Sequence, residues 1–315
     1  MEKRLLYSII LFVLTILFLS GCNNISSEYF TKGVEQYING KYLLAEQSLN
    51  HAINEDPSNA LAYNQRGKVR IKLGKYTKAI SDFSQAIVLK YGFINAYLNR
   101  AKTEITLTEY DFALRDLDIA NEISPIDIDV LFNRAYLKSI INDYEGAIID
   151  YSEIIKIDSN NTKAYINRGN LKGSLEDHLG AITDFTIALE IDSLNIYALI
   201  NRGTDKAIIG DYDGSIDDFT SAINLDSTDL EIYFLRGDAF SMIQNYEKAI
   251  IDFTTLINHD ASNGKAYYKR GINYLELKKN KLACNDLTKS GELGYFPAYE
   301  IINSKCKKSK IKKKK

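Results

Sequence analysis

The chain has 315 residues, 45% of them hydrophobic and 25% charged, with three prolines and no tryptophan. That composition can bury a large core and excludes disorder as the main state, while so little proline argues against a β-sandwich or a linker-rich modular protein. The net charge of −2 suggests no nucleic-acid partner, yet it hides a segregation: eight of the last eleven residues are lysine, which leaves the body near −11.

The first element in chain order is an address. Met1–Arg4 is short and charged, and Leu5–Leu19 is a fifteen-residue apolar run. A helix of that length falls short of the roughly 20 residues that span a bilayer and has the form of a secretory signal. It ends in Leu19-Ser20-Gly21-Cys22, which resembles the lipobox of bacterial lipoproteins at all four positions. The resemblance implies cleavage before Cys22, loss of residues 1–21, a diacylglycerol on the Cys22 thiol and a lipidated linker over 22–25. Two or three acyl chains, at about 0.8 kcal/mol per buried CH₂, hold such a protein stably on a membrane. Asn23 stands where an Asp would imply inner-membrane retention in some bacteria, so the expected location is the outer membrane if the cell has two.

From Ser26 to Pro297 the chain repeats every 34 residues, eight times, without insertion or deletion. Arg66, Arg100, Arg134, Arg168, Arg202, Arg236 and Arg270 keep that spacing, as do Asp82, Asp116, Asp150, Asp184, Asp218, Asp252 and Asp286. Numbering each repeat from Ser26, position 8 is small (Gly33, Gly67, Ala101, Ala135, Gly169, Gly203, Gly237, Gly271) and so is position 20 (Ala45 to Ala283, with Ser215 in the sixth). Small residues at two such points predict a pair of closely packed helices per repeat. Position 4 is mostly Tyr and position 24 mostly aromatic, which accounts for much of the surplus of 22 tyrosines as packing. The linking turns, Asp56-Pro57-Ser58-Asn59, Ser124-Pro125, Asp158-Ser159, Asp192-Ser193 and Asp226-Ser227, place Pro to stop one helix and Ser or Asp to cap the next.

The length of the repeat and its small and large positions resemble those of tetratricopeptide repeats, over 272 of the 315 residues. The resemblance implies an all-α solenoid, a right-handed superhelix of helix-turn-helix repeats whose first helices line a concave face. Residues 298–306 are then expected as a helix capping the last apolar surface, and 307–315 as a disordered basic tail.

An arginine at position 7 needs a partner. In antiparallel helices position 7 lies level with positions 23–24, so each Arg is expected to meet the Asp of its own repeat as a structural pair. Cys284 and Cys306 fall level across a turn near Gly294; an oxidising envelope permits a disulfide there, and two free thiols are the alternative. Position 5 is largely apolar (Leu98, Phe132, Ile166, Ile200) and position 6 carries Asn99, Asn133, Asn167 and Asn201. This combination resembles the asparagine ladders of peptide-binding tetratricopeptide superhelices and implies a groove for an extended segment. A stable local Asn-Arg-Gly sequence with no ligand explains it as well.

No catalytic, metal or nucleotide motif is present, and His51, His178 and His259 sit at unrelated repeat positions, so neither enzyme activity, a metal nor a cofactor is expected. The functional expectation is a membrane-anchored scaffold that binds protein partners in a bacterial envelope complex. Its basic tail is expected to meet anionic lipid or an acidic protein. The alternative is a lipoprotein holding a glycan or peptide for a neighbouring transporter, which the lack of tryptophan disfavours for sugars.

Overall fold

A computed structural model describes residues 25–306. It is a stacked array of helix-turn-helix repeats, and the described residues contain no strand. The array divides into two compact units, one ending at Ile157 and one beginning at Asp158. In the first unit the helices are α1 (25–38), α2 (Tyr42–Glu55), α3 (Ala60–Lys72), α4 (Tyr76–Leu89), α5 (Ile94–Thr106), α6 (Tyr110–Ile123), α7 (Ile128–Ile140) and α8 (Tyr144–Ile157). The second holds α9 (Thr162–Ser174), α10 (His178–Ile191), α11 (Ile196–Ile208), α12 (Tyr212–Leu225), α13 (Leu230–Met242), α14 (Tyr246–His259), α15 (Gly264–Glu276), α16 (Asn280–Glu292) and the short α17 (Ala298–Ile301). A π turn over Ile302–Cys306 continues α17. Odd-numbered helices up to α15 are the first helices of repeats and even-numbered ones the second.

The close approach within a repeat has a specific shape. A Cβ added to Gly169 would stand 2.8 Å from Phe185, and one added to Gly203 2.9 Å from Phe219. The position-8 glycine is thus the socket for the large residue at position 24. Where position 8 is alanine, at Ala101 and Ala135, the position-24 residues Leu117 and Tyr151 are buried as well. The position-20 residues from Ala45 to Ala283 are fully buried. A single methyl group at such a point decides whether two helices can touch, because interiors are packed to crystal density.

Turn chemistry differs from the sequence expectation in one respect. The residues that cap the first helices are Asn59, Asp127, Asn161, Asn195, Asp229 and Asn263, at position 34, each accepting from a backbone N–H of the first turn. The Asp and Ser expected as caps lie one to three residues earlier. Asp56 Oδ1 accepts from the Ser58 N–H and hydroxyl, closing the turn before the helix. A cap must sit one residue outside the helix to reach its second or third N–H, and only position 34 does.

Between first and second helix, position 15 is left-handed throughout: Gly40, Gly74, Thr108, Asn142, Glu176, Gly210, Gln244 and Lys278 all have positive φ. Glycine adopts this freely, whereas a β-branched residue such as Thr108, at φ 61°, does so under strain.

Candidate functional site

Within each compact unit the first helices of successive repeats lie side by side: α3 touches α5 and α5 touches α7, while α9 touches α11, α11 touches α13 and α13 touches α15. Behind their outer faces runs an ionic spine.

The structure brings each of the seven arginines to the aspartate of its own repeat. In Arg66–Asp82, Arg100–Asp116, Arg134–Asp150, Arg168–Asp184, Arg202–Asp218, Arg236–Asp252 and Arg270–Asp286, Nε donates to Oδ2 and Nη2 to Oδ1 over 2.6–3.0 Å. All seven aspartates are buried. Burial opposes the charge on Arg100, Arg134 and Arg270, but the facing carboxylate outweighs it, and each guanidinium is held more firmly protonated than usual. For Arg168 the hydrogen bond to Asp184 is the larger influence, in the same direction.

Three further features of the spine escaped the sequence reading. The position-4 tyrosine carries the guanidinium on its ring: Arg66 lies 5.4 Å from Tyr63, Arg100 5.9 Å from Tyr97, Arg168 5.6 Å from Tyr165, Arg236 5.6 Å from Tyr233 and Arg270 5.5 Å from Tyr267. The free Nη1 reaches back to position 25 of the preceding repeat, in Arg66–Asn50, Arg100–Ser84, Arg134–Asp118, Arg202–Thr186, Arg236–Thr220 and Arg270–Thr254, at 2.8–3.2 Å. Position 25 is short or polar in every repeat, a signal that was available. Finally, position 11 brings a second cation to the aspartate: Arg70 to Asp82, Lys138 to Asp150, Lys172 to Asp184 and Lys206 to Asp218, at 2.7–2.9 Å. Each arginine therefore ties its own hairpin together, and the six that reach position 25 also bind that hairpin to the one before within the same unit.

Repeat three breaks the pattern. Its position 11 is Glu104, only 6% exposed, whose Oε2 has no hydrogen-bond partner. Oε1 is 4.0 Å from Arg100 Nε, which is already committed to Asp116 at 2.6 Å. Burial, reinforced by the neighbouring Asp116 carboxylate and opposed by Arg100, pushes the Glu104 carboxyl up to about 7.

The proposed groove residues divide by depth. Leu98 is 5% exposed and belongs to the core of α5 and α6, so it offers nothing to a ligand. Phe132, Ile166 and Ile200 are half-buried, and the Phe132 ring packs edge-on against Tyr151 within its own repeat. Position 5 points toward the second helix, which is why its side chains are covered. Asn99, Asn133, Asn167 and Asn201 are half-buried at the surface. Asn99 Nδ2 donates 3.0 Å to Asn64 Oδ1, and Asn201 Nδ2 donates 2.8 Å to Asn170 Oδ1, each bridging adjacent first helices. Asn133 Nδ2 bonds the Asp129 carbonyl of its own helix. The exposed apolar side chains of this face come from other positions: Leu61 and Tyr136 in the first unit, Tyr197, Ile208 and Met242 in the second.

Cys284 and Cys306 form a disulfide with Cα atoms 5.7 Å apart, fastening the end of the π turn to α16. Cys22 and residues 307–315 lie outside the described residues. No described helix is long and apolar enough to cross a membrane, and the described residues contain no group of three or more His, Cys, Asp or Glu suited to a metal ion.

The tetratricopeptide-repeat family model matches residues 60–90 and 128–161. No curated protein matches the chain. Among solved structures it is similar to Pseudomonas aeruginosa PilF (TM-score 0.57, 15% identity, covering 69% of this chain and 99% of that one). It is similar also to YrrB, described as a TPR protein with an unusual peptide-binding site (TM-score 0.51, 16% identity, 58% of this chain and 95% of that one). A third is the APC/C hetero-tetramer Cut9–Hcn1 (TM-score 0.51, 14% identity, 88% of this chain and 55% of that one). At these identities the likeness is one of fold.

Proposed function

We propose that this tetratricopeptide-repeat protein is a non-catalytic scaffold, lipid-anchored through Cys22 in the bacterial envelope, whose first-helix faces hold an extended segment of a partner protein. The observation that carries the reading is the pairing, on the first helices of each unit, of exposed apolar side chains (Leu61 and Tyr136 in the first; Tyr197, Ile208 and Met242 in the second) with half-buried asparagines. Asn99, Asn133 and Asn201 each use one amide N–H within the chain and keep a side-chain carbonyl oxygen to accept from a peptide N–H. Every peptide offers the same backbone donors, so a uniform row of asparagines is a sensible reader of main chain, while the apolar side chains supply selectivity. The peptide-binding site named in the description of YrrB supports the same class of function. Each lost amide–backbone bond costs about 0.5–1.5 kcal/mol, so a single Asn→Ala change is a weak test. The variant with Asn99, Asn133, Asn167 and Asn201 all changed to Ala should recover its partners from envelope extract at less than a tenth of the wild-type level while keeping its helical circular dichroism. Recovery of every partner at wild-type level rejects the asparagine face as the site. For the anchor, intact mass of the native protein should show loss of residues 1–21 and an acyl increment; an unprocessed, detergent-free soluble protein refutes it.

A further inference from the structure

We propose that a recess between α9, α10 and α11 is a socket for a lysine or arginine side chain of the bound segment, an inference that rests on the peptide-binding reading above. The recess has a volume of about 350 Å³ and is lined by Asn170, Gly173, His178, Asn201, Thr204 and Asp205 among others. It forms where the repeat pattern is broken at several points together. Position 17 is tyrosine in six repeats, but here it is His178. Position 12 of the same repeat is Gly173, a glycine in no other repeat, and a Cβ added there would stand 3.2 Å from Asp205 Oδ1. The missing side chain leaves the space above the carboxylate open. Asp205 itself is 8% exposed, and its Oδ1 lies 2.6 Å from His178 Nδ1. Facing a carboxylate, Nδ1 carries the proton.

The hydrogen-bond accounting selects the ligand. Thr204 Oγ1 donates to the Ile200 carbonyl, Ser174 Oγ to the Asn170 carbonyl, and Asn201 Nδ2 to Asn170 Oδ1. Those bonds use both hydroxyl protons and one of the two Asn201 N–H groups; the acceptors left are Asn201 Oδ1, the two hydroxyl oxygens and Asp205 Oδ2, beside the remaining amide N–H groups of Asn170 and Asn201. An acceptor-rich recess with a buried carboxylate at its base is complementary to a group that brings only donors and a positive charge. Lysine supplies three such donors and arginine five. An anionic or purely apolar side chain would bring the buried Asp205 carboxylate no positive charge beside its single His178 hydrogen bond, so the socket also rejects.

The test is selection of random decapeptides displayed on phage against the full-length protein, followed by fluorescence-anisotropy titration of the enriched peptides. Wild type should enrich peptides with Lys or Arg at one fixed position relative to their apolar residues. Asp205→Asn, which keeps the shape, should bind those peptides at least tenfold more weakly and lose the basic preference while still enriching apolar residues. Gly173→Leu, which fills the recess, should do the same should the Asn variant not fold. Enrichment of peptides with no basic position overturns the socket but leaves the peptide-binding reading standing; no enrichment at all rejects both. Basic enrichment that appears only after deletion of residues 307–315 assigns the socket to the chain's own lysines and overturns a partner as its occupant.

Discussion

Replacing Glu104 with lysine should make the protein more stable, and the repeats themselves provide the control. At the same position Lys138, Lys172 and Lys206 place Nζ 2.8–2.9 Å from the spine aspartate of their own repeats, whereas Glu104 brings a second buried carboxylate to Asp116. In the folded chain burial, then the charge of Asp116, raises Glu104 from 4.5 to about 7. The folded state thus binds this proton more tightly than the unfolded chain does. Stability is fully retained below pH 4.5 and falls as pH rises toward 7, with the loss complete above it. The displacement corresponds to about 3 kcal/mol, of which about 2–3 kcal/mol is lost between pH 5 and pH 8. Denaturant unfolding at the two pH values isolates the effect, because titrations common to all variants cancel in the difference. Glu104→Gln should match wild type near pH 5 and exceed it by about 2–3 kcal/mol at pH 8. Glu104→Lys should be more stable than Gln at pH 8, since it also gives Asp116 its second cation. Identical pH dependence of wild type and Glu104→Gln, or a Lys variant less stable than wild type at pH 8, refutes the reasoning.

Four other changes have outcomes read by the same unfolding measurement. Ser215 is fully buried with an unpartnered hydroxyl at a position that is alanine in the other repeats; Ser215→Ala should stabilise by about 1–2 kcal/mol, and a loss of stability would mean the hydroxyl has a partner. Thr108→Gly should stabilise by about 1 kcal/mol by relieving the left-handed backbone at φ 61°, whereas no gain would show that the strain is absent. Arg236→Met should cost about 3–5 kcal/mol, because among the described residues Asp252 pairs with that arginine alone, while Arg202→Met should cost less because Lys206 remains 2.9 Å from Asp218; equal costs would remove the second cation from the account. Reduction of Cys284–Cys306, which closes a loop of 22 residues, should lower stability by about 3 kcal/mol in the chain-entropy model and raise amide exchange first in α17, and unchanged exchange there would show that packing alone holds the cap.

The sequence by itself determined the fold class and which arginine meets which aspartate in the spine. The reason is physical: each 34-residue repeat buries the same apolar face against the same neighbours, so the requirement is written eight times and shows as periodicity in Arg, Asp and small residues. The depth of each side chain needed tertiary structure. Leu98 and Ile200 share a repeat position, yet one is core and the other half-exposed, because exposure depends on the residues packed around each. The deviations were legible as letters but not as chemistry. Glu104 among cations, Ser215 among alanines and Gly173 with His178 and Asp205 acquire meaning only when the fold shows what each departing residue faces. Contacts between helices of adjacent repeats, such as Asn201 with Asn170, join residues 31 apart, and whether a proton is spent there or left for a ligand is decided by geometry that spacing alone does not carry.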